Sequence, residues 1–113
     1  MSDIIIKDII ESETAVTSIK AKKVFEVLKT NIKNNEVSVL DFTGTKSVTT
    51  AFLNVAIGQL YDVDSVENLS KLVRLKRSTV SDEHFRKITR VLNNSRSKRE
   101  AAQKNIEEVL DGE

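Results

Sequence analysis

The 113-residue chain contains no cysteine, no proline and no tryptophan, and it has only three glycines and one histidine. The absence of cysteine excludes disulfides, thiolate metal sites and cysteine nucleophiles, and it suits a reducing compartment. Without proline or a Gly/Ser-rich stretch, the chain has no linker that would divide it. We therefore expect a single domain over residues 1–113, with a helical tail over residues 97–113. A domain of this size buries about 65% of its unfolded surface.

Long apolar runs are absent too. No stretch approaches the roughly 18 apolar residues that indicate a transmembrane helix. The opening residues, MSDIIIKDIIESE, carry acids where a secretion signal requires basic residues. These two absences predict a cytoplasmic protein that is neither secreted nor bound to a membrane.

Motifs that carry chemistry are also missing. The sequence contains no G-x-x-x-x-G-K-[ST], no G-x-G-x-x-G and no metal-ligand spacing. Its one histidine, His84, is adjacent to two acids but lacks the spacing of a catalytic constellation. Asp41 has no second acid to complete a metal site, so we expect it to accept hydrogen bonds from the following turn. We expect no enzyme activity, no metal and no cofactor.

Charge is distributed unevenly, although the formal net charge is only +1. Residues 1–70 hold seven basic and ten acidic residues, and residues 71–104 hold eleven basic and three acidic residues. Residues 105–113 hold four acidic residues and no basic residue. The basic block is the main electrostatic feature of the chain. The residues predicted to neutralise phosphates, if nucleic acid binds there, are Lys76, Arg77, Arg86, Arg90, Arg96 and Arg99.

Several interpretations of this block remain open. It is a solvated polar face, a surface for an acidic protein, or a nucleic-acid interface. Base stacking is not expected, because the only aromatic in the block, Phe85, belongs to the apolar face of a predicted helix. Self-association is a further alternative, in which the acidic end of one copy meets the basic block of another.

Hydrophobic periodicity predicts alternating strands and helices. The predicted strands are Asp3–Ile10, Val37–Phe42 and Lys71–Leu75, and the apolar character of the second predicts burial on both faces of a mainly parallel sheet. The predicted helices cover Thr17–Lys33, about Thr50–Tyr61, 82–93 and 98–110, with 93–96 either a break or a continuation. This β-α-β-α-β-α order predicts a small α/β sandwich with a short, mainly parallel sheet, because parallel strands need crossover helices.

The segment LDFTGTKSVTTAFL, residues 40–53, resembles a known signature. It aligns without a gap with the pattern L-D-[LF]-S-G-V-x-x-[IV]-D-S-S-G-L of STAS domains, the module of bacterial anti-sigma-factor antagonists. The closer resemblance is to the STAS-like family of unknown function, in which the loop ends in a Thr/Ser pair and a phenylalanine. The resemblance implies a small STAS-like α/β fold over the whole chain.

The resemblance also implies a function. STAS antagonists bind partner proteins, often ATP-binding kinases, and phosphorylation of a loop serine breaks the complex. In this chain the loop aspartate of the family is replaced by Thr49 and the first serine by Thr50. Ala51 stands at the usual phosphoacceptor, and Phe52 stands at the following glycine. The departure leaves Thr50 as the remaining candidate phosphoacceptor.

The loop also has a purely structural interpretation. Thr49 and Thr50 precede an apolar helix, where a hydroxyl accepts a hydrogen bond from an unpaired amide. Three interpretations are therefore open: a helix cap, a partner-binding loop without phosphate, and a phosphorylation switch. Our leading hypothesis is a non-enzymatic regulator, bacterial or from a phage or other mobile element, that binds a protein through Thr43, Lys46, Thr49, Thr50 and Phe52. The alternatives are a nucleic-acid-associated regulator using the basic block and a phage or mobile-element protein that contacts a host protein.

Overall fold

A computed structural model describes the backbone of residues 1–111 and the side chains of residues 1–97. The chain alternates short strands and helices, as the predicted α/β fold requires. The elements are β1 (Ser2–Ile5), α1 (Ile6–Ile10), β2 (Thr14–Ala15), α2 (Ser18–Lys33), β3 (Ser38–Asp41), β4 (Ser47–Val48), α3 (Thr50–Ala56), a 3-10 helix (Gly58–Asp62), α4 (Val66–Leu72), β5 (Val73–Leu75), a 3-10 turn (Arg77–Thr79) and α5 (Asp82–Asp111). No helix of the described part is long and apolar enough to cross a membrane.

Two small parallel sheets organise the chain. In the larger one β3 lies between β1 and β5 and runs parallel to both, so that Leu40 is level with Ile4 and Leu75. In the smaller one β2 pairs in parallel with β4, and Ala15 is level with Val48. The prediction of a mainly parallel sheet is therefore confirmed.

The larger sheet is buried on one face only. Ile4 and Leu40 are 4% exposed on the covered face. On the other face Val39 is half-buried between Asp3 and Arg74, which are exposed. This corrects the expectation that the second strand is buried on both faces. The strand order explains it, because two right-handed crossovers that step in the same direction place their helices on the same face.

The core lies between that face and the helices α2, α3 and α5. α2 ends at Lys33, as predicted, and Asn35, which follows it, has φ 55°. The buried residues that the three helices contribute are Ala21, Val24, Leu28 and Ile32 from α2, Phe52, Leu53 and Ala56 from α3, and Ile88 and Val91 from α5.

Two predicted strands are shorter than expected. The first ends at Ile5, because the chain turns into α1, which buries Ile6 and Ile10 on the same side of the helix. The third begins at Val73, because the residues before it form α4. Ser65 caps that helix by accepting a hydrogen bond from the Asn68 amide at 3.2 Å.

Two predicted helices also have different bounds. α3 ends at Ala56 and passes into the 3-10 helix, instead of continuing to residue 61. α5 is continuous from Asp82 to Asp111, so residues 93–96 are a continuation and not a break. The 3-10 helix and α5 approach closely at Gly58, where an added Cβ would lie 3.0 Å from the Ser95 Oγ and 3.4 Å from a Val91 methyl group.

Candidate partner-binding surface

The candidate site begins at the carboxyl end of the central strand, where Asp41 closes a turn. Its carboxylate accepts hydrogen bonds from the Thr43 hydroxyl at 2.6 Å and from the Thr43 amide at 2.8 Å. Both bonds stabilise the ionised form and hold the pKa of Asp41 below its usual value, and the Lys76 ammonium 3.9 Å away acts in the same direction. The expected structural role of Asp41 is confirmed.

A glycine completes the turn. Gly44 has φ 79°, a conformation that side-chain-bearing residues rarely adopt, and the Thr45 amide donates to the Phe42 carbonyl at 3.0 Å. An added Cβ at Gly44 would also lie 3.0 Å from the aliphatic part of Lys7. The reversal of the chain after β3 therefore depends on this glycine.

The loop after the turn is attached to an earlier part of the chain. The Lys46 amide donates to the Glu13 carbonyl at 2.8 Å, and the Thr49 amide donates to the Ala15 carbonyl at 3.1 Å. The Lys46 ammonium lies 3.1 Å from the Glu13 carboxylate and, through this contact, lowers the pKa of Glu13. Residues 13–16 thus hold the loop in place on both sides of the β2–β4 pair.

The loop ends in a helix cap, as one of the three interpretations predicted. The Thr49 Oγ1 accepts a hydrogen bond from the Phe52 amide at 3.1 Å. Thr49 itself is extended, with φ −106° and ψ 155°, as a cap residue is. The cap occupies the Thr49 hydroxyl, and Thr50 begins α3 with its side chain partly exposed.

The structure places four of the five predicted contact residues at the surface. Thr43 and Lys46 are exposed, and Thr49 and Thr50 are partly exposed. Phe52 is 1% exposed and packs in the core, so it cannot contact a partner, and we remove it from the candidate site. The reason is helical geometry, because Phe52 lies on the inward side of α3 together with Leu53.

Two exposed apolar residues that sequence reasoning missed lie in the segment that follows β2 and begins α2. Val16 follows β2 directly and is 39% exposed, and its carbonyl oxygen is 3.5 Å from the Thr49 hydroxyl. Ile19, in the first turn of α2, is 80% exposed. The available signal was that Ile19 falls outside the apolar stripe of its own helix. We define the loop surface as Val16, Ile19, Thr43, Lys46, Thr49 and Thr50.

The predicted nucleic-acid-binding residues are exposed wherever their side chains are described, and that of Arg99 lies outside the described part. Two of them already contact acids of the chain: Arg77 binds Asp82 at 2.8 Å, and Lys76 lies near Asp41. Arg86 and Arg90 lie four residues apart on α5, while Arg96 lines an apolar groove. Within the described residues, no group of three or more potential metal ligands occurs.

Comparison with known proteins adds one match. A family model described as a STAS-like domain of unknown function (DUF4325) matches residues 20–83. The matched span runs from α2 to the first residues of α5 and includes the whole loop after β3. Neither the curated proteins nor the solved structures contain a significant match to the chain.

Proposed function

The chain belongs to the STAS-like domain family of unknown function, and on this basis we propose that it is a non-enzymatic regulator that binds a partner protein through the loop surface. The observation that carries the proposal is the exposure of two apolar side chains, Val16 and Ile19, directly after the segment whose backbone holds the loop that resembles the STAS signature. Ile19 is 80% exposed, and burying it against a partner would contribute about 1.5–3 kcal/mol.

The surface has the composition of a small protein interface. Val16 and Ile19 supply apolar area, while the Thr43 hydroxyl and the exposed Lys46 ammonium supply polar groups around it. Interfaces commonly combine an apolar centre with a polar rim. An interface of this composition supports a protein partner better than a small-molecule substrate, which binds in a concave site.

The loop is also held in one conformation before any partner arrives. The Asp41 turn, the backbone bonds to residues 13–15 and the Thr49 cap each fix a different part of it. A pre-organised loop loses little conformational entropy on binding, which increases affinity. This supports recognition of the loop as a fixed shape.

For regulation of this contact, Thr50 is the residue that we propose as a phosphoacceptor. The Thr49 hydroxyl already caps α3, whereas Thr50 is partly exposed at the loop surface. A phosphate would add about −1.5 to −2 charges at the start of α3 and so weaken a complex formed there. An ATP-binding kinase-like partner in the cytoplasm of a bacterium, or encoded by a phage, is the context in which such a switch would act.

The test compares two charge substitutions on the same helix. The immobilised chain is used to capture proteins from a native lysate, and the bound proteins are identified by mass spectrometry. We expect Ile19→Asp to reduce capture of the partner at least tenfold, a loss of about 1.4 kcal/mol or more. The control is Lys22→Asp, at another exposed position of α2, and it should retain the partner. Capture of the same proteins by both folded variants would contradict the proposed surface.

Nucleic-acid binding by the basic residues has less support, because Lys76 and Arg77 already interact with acids of the chain. A gel shift over a salt series measures it directly, since phosphate contacts weaken steeply with salt. Salt-sensitive binding that disappears in the Arg86→Glu/Arg90→Glu variant would support nucleic acid as the partner and contradict the proposal of a protein partner.

A further inference from the structure

A groove separate from the loop surface lies between β5, α4 and α5. Its volume is about 390 Å³, within the range of sites that accept ligands or peptide side chains. Its deepest residues are buried, and the residues nearer the opening are partly exposed. The apolar side chains that line it include Leu60, Leu69 and Ile88 at depth and Val73, Leu75 and Leu92 nearer the surface.

The charged residues that line the groove are all positive. Arg74 and Arg96 belong to its lining, and among the described residues no Asp or Glu does. At the opening, Phe85 is 37% exposed, with the Arg77 guanidinium 4.2 Å from the centre of its ring. The groove therefore favours an occupant that is apolar and carries negative charge.

The chain itself contains a segment with that composition. Residues 105–113 read NIEEVLDGE and hold four acids, no basic residue and the apolar residues Ile106, Val109 and Leu110. At helical spacing these three apolar residues fall on one stripe, between acidic positions. The segment is complementary to the groove in both charge and hydrophobicity.

This segment cannot reach the groove of its own copy. The groove is lined by residues 85–96 of α5, and α5 continues as one helix to Asp111. At 1.5 Å per residue, residue 108 lies about 27 Å along the helix from residue 90. The segment can therefore meet a groove of this kind only on a second copy of the chain.

We propose that the protein forms a symmetric dimer in which residues 105–111 of each copy occupy the groove of the other. Two α5 helices that run antiparallel, related by a two-fold axis near residue 99, place residue 108 of one copy beside residue 90 of the other. In this register Arg90 is level with the acidic position 108 of the partner segment, and the groove residues Ile88 and Leu92 are level with its apolar positions 110 and 106. The loop surface shares no residue with this interface and stays available for a different protein.

The first experiment measures the oligomeric state by sedimentation equilibrium over a concentration series. The full chain is expected to dimerise, and a chain truncated after Lys104 is expected to remain monomeric and folded, with its helical circular dichroism reduced only by the loss of residues 105–111 of α5. A full chain that is monomeric at every concentration overturns the proposal, as does a dimer that survives the truncation.

The second experiment tests the charge pairing. Arg90→Glu should raise the dimer dissociation constant about tenfold or more, equivalent to about 1.4 kcal/mol over the two symmetric contacts. Glu108→Lys in the same chain should restore it. The matched control is Lys22→Glu, which makes the same charge change at an exposed position of α2 outside the groove lining and should leave the dissociation constant unchanged.

Equal weakening by the control substitution, or no rescue by the compensating substitution, would show that overall charge governs association and would overturn the proposed contact. Because the chain has no cysteine, a cross-link between single cysteines provides a check that does not depend on charge. Mixing Asn93→Cys with Asn105→Cys should give a cross-linked heterodimer, since these positions face each other across the two-fold axis. Failure to cross-link above the level of Asn93→Cys alone overturns the geometry.

Discussion

At the scale of single residues, the shape of the loop depends on three side chains with distinct tasks. The Asp41 carboxylate closes the turn, Gly44 permits its left-handed backbone, and the Thr49 hydroxyl caps the helix that follows. Each task is local, involving atoms no more than three residues away. Local chemistry of this kind can be inferred from sequence, which is why the role of Asp41, and the Thr49 cap among the open interpretations, were predicted.

Asp41 makes the stability of the fold depend on pH. Because its pKa is lowered in the folded state, it stabilises the fold above its ordinary pKa of 3.8, and this contribution is lost as the pH falls through the folded value. We expect Asp41→Asn to lower the free energy of unfolding by about 1–2 kcal/mol at neutral pH, as expected for hydrogen bonds to a charged group. The difference from the unmodified chain should shrink below pH 3.8. Urea unfolding at several pH values measures it.

The control for this measurement is Asp3→Asn. Asp3 is exposed in the neighbouring strand β1, and among residues 1–97 its side chain has no hydrogen-bond or ion-pair partner. A difference for Asp41→Asn that stayed constant with pH, or an equal one for Asp3→Asn, would contradict the assigned role of the Asp41 turn.

At the scale of elements, the longest periodic segments were predictable. The α2 stripe repeats over four turns and the apolar run of β3 lies between clear stops, so both were predicted close to their observed bounds. The short elements were not. α1 and α4 have five and seven residues, and their apolar content is as typical of a strand as of a helix. Their helical form depends on packing against distant residues, which local pattern does not record.

The site was predictable to a similar extent. The position of the loop followed from the signature, but the burial of Phe52 and the exposure of Ile19 did not. Both depend on which side of a helix faces the core, and for the seven residues of α3 the apolar positions surround the helix nearly completely. The attachment of the loop to residues 13–16 joins segments about thirty residues apart, so no local pattern could reveal it.

The cap on α3 can be tested at this same scale. Thr49→Val keeps the side-chain shape but removes the acceptor for the Phe52 amide, and we expect a loss of about 1 kcal/mol in the free energy of unfolding. Thr49→Ser keeps the hydroxyl and should lose much less. Urea unfolding of the two variants gives the comparison, and equal losses would mean that the hydroxyl does not cap the helix.

At the scale of the whole molecule, one cooperative core joins the sheet to α2, α3 and α5. Phe52 is among its largest fully buried side chains, so Phe52→Ala should cost about 3–5 kcal/mol. That is a large part of the 5–15 kcal/mol typical of a domain, and we expect a melting temperature lower by at least about 10 °C. Calorimetry measures this shift.

The neighbouring substitution Thr50→Ala serves as the control, because Thr50 is partly exposed and lies outside the core. It should leave the melting temperature nearly unchanged. A Phe52→Ala variant as stable as Thr50→Ala would show that Phe52 does not pack in the core. Phe52 would then again be a candidate contact residue.

The family match begins at residue 20, yet the first fifteen residues supply one edge of the larger sheet and the strand that pairs with β4. A recombinant fragment cut at the borders of the match would therefore leave β3 without one neighbour and the signature loop without its backbone partners. It would also lack Ile88 and Val91 from beneath the sheet. Expression trials, crystallisation and sequence comparison across this family should accordingly start upstream of β1 and continue well into α5.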